Sequence, residues 1–265
     1  MYPAFYCASA KSSSHQTAAA PAAATPPANA AAVDACPSRH DTARMDAMKR
    51  PCHAVILDLD GTIANTLTDI TNAVNHALRA FGLPPQPIHA VRRFVGDGVR
   101  LLCQRAGAGQ VTDGRLDKMA AIVMEQYRLH ELDHTTLYDG VAALLDGLTT
   151  RHIPFAVLSN KPHAATERMV VALCGRWSFA AIEGMRTEDA RKPSPKTALA
   201  MAERIGVDPA AVWFVGDSGS DIKTARNAGM VAVAATWGFR DCDELASLGP
   251  DHMIDHPEAL LQLIE

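Results

Sequence analysis

The stretch Val55-Ile56-Leu57-Asp58-Leu59-Asp60-Gly61-Thr62 decides how this chain is read. Its apolar head has the length of a strand and no polar alternation, as expected for a strand buried on both faces of a parallel sheet. It ends in two carboxylates one residue apart, then in a Gly and a Thr that can turn the backbone sharply. Acid is thereby placed at the carboxyl end of a buried strand, where open α/β sheets bind ligands. Two acidic groups this close repel each other, and a divalent cation between them removes the repulsion.

Downstream, apolar strands alternate with helical patterns. Phe155-Ala156-Val157-Leu158, a weaker segment near Phe179 to Ile182, Val212-Trp213-Phe214-Val215 and Val231 to Ala235 read as strands. Helices are expected over 140–150, from Pro162, from a Ser194-Pro195 cap to Gly206, up to Gly229, and over 257–264. Strands this apolar, separated by helices, imply a doubly wound α/β core with a parallel sheet covered on both faces.

The segment 66–138 has a different character. Thr66 and Asp69 have the spacing of a capping box, and Ile70, Ala73, Val74, Ala77, Leu78 and Phe81 follow at helical intervals until Gly82 and Pro84. Leu116, Met119, Ala120, Val123 and Tyr127 share one face of a second helix starting near Thr112. With no strand expected in it, 66–138 reads as a helical cap inserted into a core made of 51–65 and 139–265. Residues 1–50 are rich in Ala, Pro, Ser and Thr, with no acidic residue before Asp34, and read as a disordered tail or a misassigned start ahead of Met45 or Met48.

Composition narrows the function. In 265 residues, 48% are apolar, enough for a real core, and 25 basic against 29 acidic residues give no surface suited to nucleic acid. The six cysteines form no close pairs, which fits reduced thiols in a cytoplasmic protein, and no tract is long and apolar enough to span a bilayer.

Three strand ends carry reactive groups: Asp58 and Asp60; Ser159-Asn160-Lys161; and Gly216-Asp217-Ser218 with Asp221. Lys192 lies in the loop Arg191-Lys192-Pro193-Ser194-Pro195. In a parallel sheet these loops share one edge, and their carboxylates, hydroxyl, amide and ammonium suit phosphoryl transfer with a hard cation.

These residues, in this order, resemble the four motifs of the haloacid dehalogenase superfamily over roughly 53–265. The helical insert, the Val95-Gly96-Asp97-Gly98 segment and the Arg191–Pro195 loop are similar to those of its phosphoglycolate phosphatase group. The resemblance implies a Rossmann-like core, Mg2+ as cofactor and a small phosphorylated metabolite as substrate, in a monomer or homodimer. It further implies Asp58 as nucleophile, Asp60 as acid and base, and Ser159 and Lys192 as holders of the phosphoryl oxygens. Asp58, the Asp60 carbonyl, Asp217 and Asp221 would form the metal shell. Asn160 and Thr62 are expected at the substrate, through backbone N–H and loop shape respectively. In the cap, Gly96 and Gly98 suggest a loop that closes over the site, and Arg93 and Arg100 could pair with a substrate carboxylate.

Asp60 separates reactions within that superfamily. Halide leaves without a proton, and the dehalogenases lack this second aspartate, so its presence points to phosphate esters. The sugar phosphate mutases place a histidine near the position of Ile70, which cannot shuttle a proton. Two further patterns are set aside. His130-Glu131-Leu132-Asp133-His134 has zinc-protease spacing but no third ligand follows, and Gly216-Asp217-Ser218-Gly219 follows a parallel-sheet strand foreign to serine proteases.

Overall fold

The computed structural model describes residues 50–264. A six-stranded sheet runs β5-β4-β1-β6-β7-β8, formed by β1 (Ala54–Leu57), β4 (Phe155–Pro162), β5 (Ala181–Met185), β6 (Val212–Gly216), β7 (Val231–Ala235) and β8 (His252–Ile254). Every neighbouring pair is parallel. β1 sits between β4 and β6, so the chain winds outward from it in both directions and the carboxyl ends of all three strands meet around Asp58.

Strand alternation divides the core. Val55, Leu57, Val157, Trp213 and Val215 face α5 (Val141–Thr150), α6 (His163–Cys174) and α10 (Ala259–Leu263). Ala54, Ile56, Ala156, Phe214 and Ala232 face α7 (Lys196–Ile205), α8 (Gly219–Asn227) and α9 (Cys242–Ser247). The second face is rich in alanine on both sides of the contact, which lets its helices approach the sheet closely.

The cap comprises α1 (Leu67–Ala80), α2 (Ile88–Phe94), α3 (Val99–Ala106) and α4 (Asp113–His130), packed around Val74, Leu78, Val91, Leu116 and Met119. The chain leaves the core through β2 (Ala64–Asn65) and returns through β3 (Thr136–Leu137), and these two strands pair antiparallel with each other. The doubly wound core and the inserted helical cap are thus as expected.

Several local expectations are corrected. A strand, β3, does occur inside 66–138, and β8 was not anticipated, being only three residues long. Thr66 and Asp69 form no capping box: Thr66 makes no side-chain cap bond. Asp69 instead accepts from the backbone N–H of His134 (3.0 Å) and Thr135 (2.9 Å), from Thr135 Oγ1 (2.8 Å) and from His134 Nδ1 (2.8 Å). A buried carboxylate needs such donors, and these stitch the cap's first helix to its returning segment. The helix expected behind a Ser194 cap begins at Lys196, with Pro195 in the cap position. The reading of 1–50 falls, apart from residue 50, outside the described residues. Among those described, Cys52, Cys103 and Cys174 are free thiols. No helix among them is long and apolar enough to cross a membrane.

Candidate active site

Asp58 follows β1, Asp217 follows β6, and Asp221 lies in the first turn of α8; all three are buried. One carboxylate oxygen from each lies within 4.8 Å of the others. Glycine makes the approach possible. Gly61 has φ +90°, and a Cβ there would overlap the Asp217 carboxylate. A Cβ at Gly216 would collide with Asp221.

Lys192, only 3% exposed, enters this cluster from the loop before α7. Its Nζ lies 2.6 Å from Asp221 Oδ1 and 2.7 Å from Asp58 Oδ1, and donates to the Leu158 carbonyl at 3.0 Å. The ammonium thus donates to Asp221 and to the Leu158 carbonyl and forms an ion pair with Asp58. The approach to Asp58 is an ion pair with poor hydrogen-bond alignment, so Asp58 Oδ1 keeps no well-directed donor. Burial opposes the Lys192 charge, but Asp221 and Asp58 outweigh it and hold its pKa above the usual lysine value.

With all three carboxylates ionised, the single ammonium would leave this buried cluster two charges negative. The strain shows in the titration of the acids. Burial, then the charges of Asp221 and Asp217, push Asp58 well above the usual carboxylate range, with Lys192 opposing. Burial and Asp221 push Asp217 up to about 7. An all-oxygen donor set with two uncompensated charges fits a hard divalent cation such as Mg2+ and not a softer metal that prefers nitrogen or sulfur.

Asp221 serves two further ends. Its Oδ2 accepts from the Ser218 N–H (3.0 Å) and hydroxyl (2.6 Å), capping α8, while its Oδ1 holds Lys192. Both oxygens are engaged, so Asp221 orients the cluster from behind. Asp217 is oriented by the Phe239 N–H at 2.6 Å and by Thr62 Oγ1 at 3.3 Å.

Above the cluster a cavity of about 1010 Å3 lies between core and cap. Its walls include Asp58, Asp60, Ser159, Asn160, Lys192, Asp217, Gly96 and Arg100 from the expected set. Ser159 is buried just past Leu158, where the regular pairing of β4 ends, its Oγ accepting from the Lys161 N–H at 3.2 Å. Asn160 bonds the backbone of Lys192 at 2.8 and 3.2 Å and reaches the Gly96 carbonyl at 3.5 Å, so its side chain braces the lysine loop.

Two expected substrate residues lie elsewhere. Thr62 is absent from the cavity wall and donates instead to Asp217. Arg93 has a side chain 78% exposed that turns to Asp241 at 3.9 Å, outside the large cavity. Arg100 reaches the wall but is paired inside the cap with Asp117 (3.0 Å) and Asp113 (3.6 Å). Sequence reasoning missed the arginines that do hold the cap loop. Arg191 donates to the Asp97 carbonyl at 2.7 Å, and Arg240 to the carbonyls of Arg92 (3.2 Å) and Val95. Gly98 (φ +90°) permits this, because a Cβ there would sit 2.7 Å from Arg191 Nη1.

The zinc-protease pattern dissolves in three dimensions. α4 ends at His130, which pairs with Asp133 at 2.8 Å, while His134 lies beyond the helix and pairs with Asp69 at 2.8 Å.

The profile of the haloacid dehalogenase-like hydrolases matches residues 55–235. Phosphoglycolate phosphatase 1 of Pseudomonas aeruginosa is 36% identical over 218 residues, 78% of each chain. Phosphoglycolate phosphatase of Chromobacterium violaceum is 32% identical over 216 residues, covering 80% of this chain and 96% of the relative. A solved structure from Haemophilus somnus, designated a predicted phosphoglycolate phosphatase, has a TM-score of 0.75 at 26% identity and covers 83% of this chain and 100% of that one. The chain belongs to the haloacid dehalogenase-like hydrolase family, as a phosphatase of the phosphoglycolate phosphatase-like group.

Proposed function

We propose that the chain is a Mg2+-dependent phosphomonoester hydrolase that forms an aspartyl-phosphate on Asp58, with 2-phosphoglycolate as its first candidate substrate. The observation that carries the reading is a nucleophile-bearing cluster, two charges negative when ionised, buried beneath a cavity at the strand ends. The names of the relatives support the choice of substrate.

Asp58 and Asp217 would hold the cation with the Asp60 carbonyl, while Asp221 fixes Lys192 from behind. The bound cation supplies positive charge that makes a phosphoryl group and a carboxylate nucleophile compatible neighbours. An Asp58 oxygen attacks phosphorus, the bond to the ester oxygen breaks, and Asp60 gives that oxygen its proton. Water then attacks the aspartyl-phosphate, Asp60 takes its proton, and inorganic phosphate leaves with Asp58 regenerated. Lys192 and Ser159 bind the phosphoryl oxygens throughout, with charge-assisted donation from the ammonium.

The test is a panel of small phosphomonoesters, including 2-phosphoglycolate and sugar phosphates, assayed with and without chelator. Turnover should vanish on chelation, return with Mg2+, and fall at least about 10³-fold in Asp58→Asn. Hydrolysis indifferent to chelator, or surviving that substitution, overturns the reading.

A further inference from the structure

Lys161 is a second buried ammonium in the cavity wall, and the chemistry above gives it no task. Its side chain is 7% exposed. Nζ donates to both Asp60 oxygens, at 2.9 and 3.1 Å, and to Tyr127 Oη at 3.0 Å, and lies 4.4 Å from the Tyr127 ring centroid. The three residues come from separate parts of the chain: the loop after β1, the irregular end of β4, and the cap helix α4. All three line the cavity. A lysine is costly to bury, and an apolar residue of similar volume often serves stability as well or better. Its place here is thus better explained by the carboxylate it grips.

We propose that Lys161 is the positioning residue for Asp60, and that Tyr127 makes its grip conditional on the cap. A two-pronged contact from one ammonium fixes the plane of a carboxylate that would otherwise rotate freely about χ1 and χ2. The ammonium is in turn fixed by a hydroxyl and ring on α4, so Asp60 is aimed only while the cap helix lies against the core. Lys161 touches neither phosphorus nor the leaving oxygen in this role. The inference rests on the proposed reading of Asp60 as acid and base.

Leaving-group chemistry tests it. When the phosphorus–oxygen bond breaks, the electron pair goes to the ester oxygen. An alkoxide such as that of glycolate needs the Asp60 proton, whereas p-nitrophenolate departs without one. The full-length protein with Mg2+ is assayed on 2-phosphoglycolate and on p-nitrophenyl phosphate, comparing wild type, Lys161→Met and Tyr127→Phe by kcat/KM. A positioned acid contributes roughly 10²- to 10⁴-fold, so Lys161→Met should lose about 30-fold or more on 2-phosphoglycolate and less than about 3-fold on the aryl ester. Tyr127→Phe keeps the ring and should lose about 3- to 10-fold, again selectively for the alkyl ester.

Equal losses on both substrates, or a rise in KM with kcat unchanged, overturn the proposal in favour of a packing role or a phosphate contact. Should Lys161→Met fail to fold, Tyr127→Phe decides, and an unchanged ratio between the substrates overturns it. An inactive wild type, or Asp60→Asn with equal losses on the two esters, overturns instead the reading on which the inference rests.

Discussion

Replacing Lys192 with Met tests the charge balance at its centre. Lys192 is 3% exposed, and its ammonium lies 2.6 Å from Asp221 and 2.7 Å from Asp58, with Asp217 in the same cluster. Met fills much of the volume, so the loss is electrostatic: two buried carboxylates lose their cation and the Leu158 carbonyl loses a donor. Breaking a buried pair by removing one partner costs about 3–5 kcal/mol. That is a large share of the roughly 5–15 kcal/mol that holds a typical domain together. Urea unfolding of the chelated protein, followed by circular dichroism, should show this loss, and saturating Mg2+ should restore part of it by binding the folded state. Asp221→Asn in the same background removes one of the stranded charges, so the double variant should be less destabilised than the sum of the singles by about 0.5–3 kcal/mol. A Lys192→Met loss below about 1 kcal/mol, the value of an exposed pair, would mean that Lys192 does not balance these acids, as would strict additivity.

Four further outcomes follow from the same geometry. The chelated protein should lose stability as pH rises from about 4 to about 7, because the Asp217 pKa is raised in the folded state from its ordinary 3.8 to about 7 and ionisation there favours unfolding; thermal melts check this, and Mg2+ should flatten the slope. Asp69→Ala removes an acceptor of four hydrogen bonds between the cap's first helix and its returning segment and should cost about 2–4 kcal/mol, with protease cutting first near 131–135; proteolysis followed by mass spectrometry reads it. Gly98→Ala forces a side chain into a φ of +90° against Arg191, at a strain of about 1–3 kcal/mol, and should raise KM more than it lowers kcat. Arg93→Ala, whose side chain points away from the large cavity, should leave KM within about 2-fold of wild type.

The core was legible because its signals are local. Val55 to Leu57 announce a doubly buried strand without reference to any other segment, and Asp58 and Asp60 follow directly from it. Lys192 had meaning only through its order among the other motifs, since its acid partners lie on other elements. Tyr127 fits the helical stripe of Leu116, Met119 and Val123, and nothing in that spacing reveals a hydroxyl aimed at Lys161. Asp69 was misread because the capping-box spacing is a local rule, and four donors around His134 and Thr135 outweighed it. Arg93 and Arg100 were named by their charge and their place beside the Gly96–Gly98 loop, and neither says which way a side chain turns. Thr62 shows the same limit: its place beside the motif was plain, but its bond to Asp217 depends on β1 and β6 being neighbours.

In the proposed mechanism Asp58 becomes phosphorylated. Rapid-quench of the Mg2+-loaded enzyme with labelled 2-phosphoglycolate, followed by peptide mapping, tests it most directly. A hydroxylamine-sensitive acyl phosphate is expected on the peptide carrying Asp58, formed and consumed at rates compatible with turnover and absent from Asp58→Asn. Steady turnover with no labelled protein at any quench time, or label on a different residue, would contradict the mechanism.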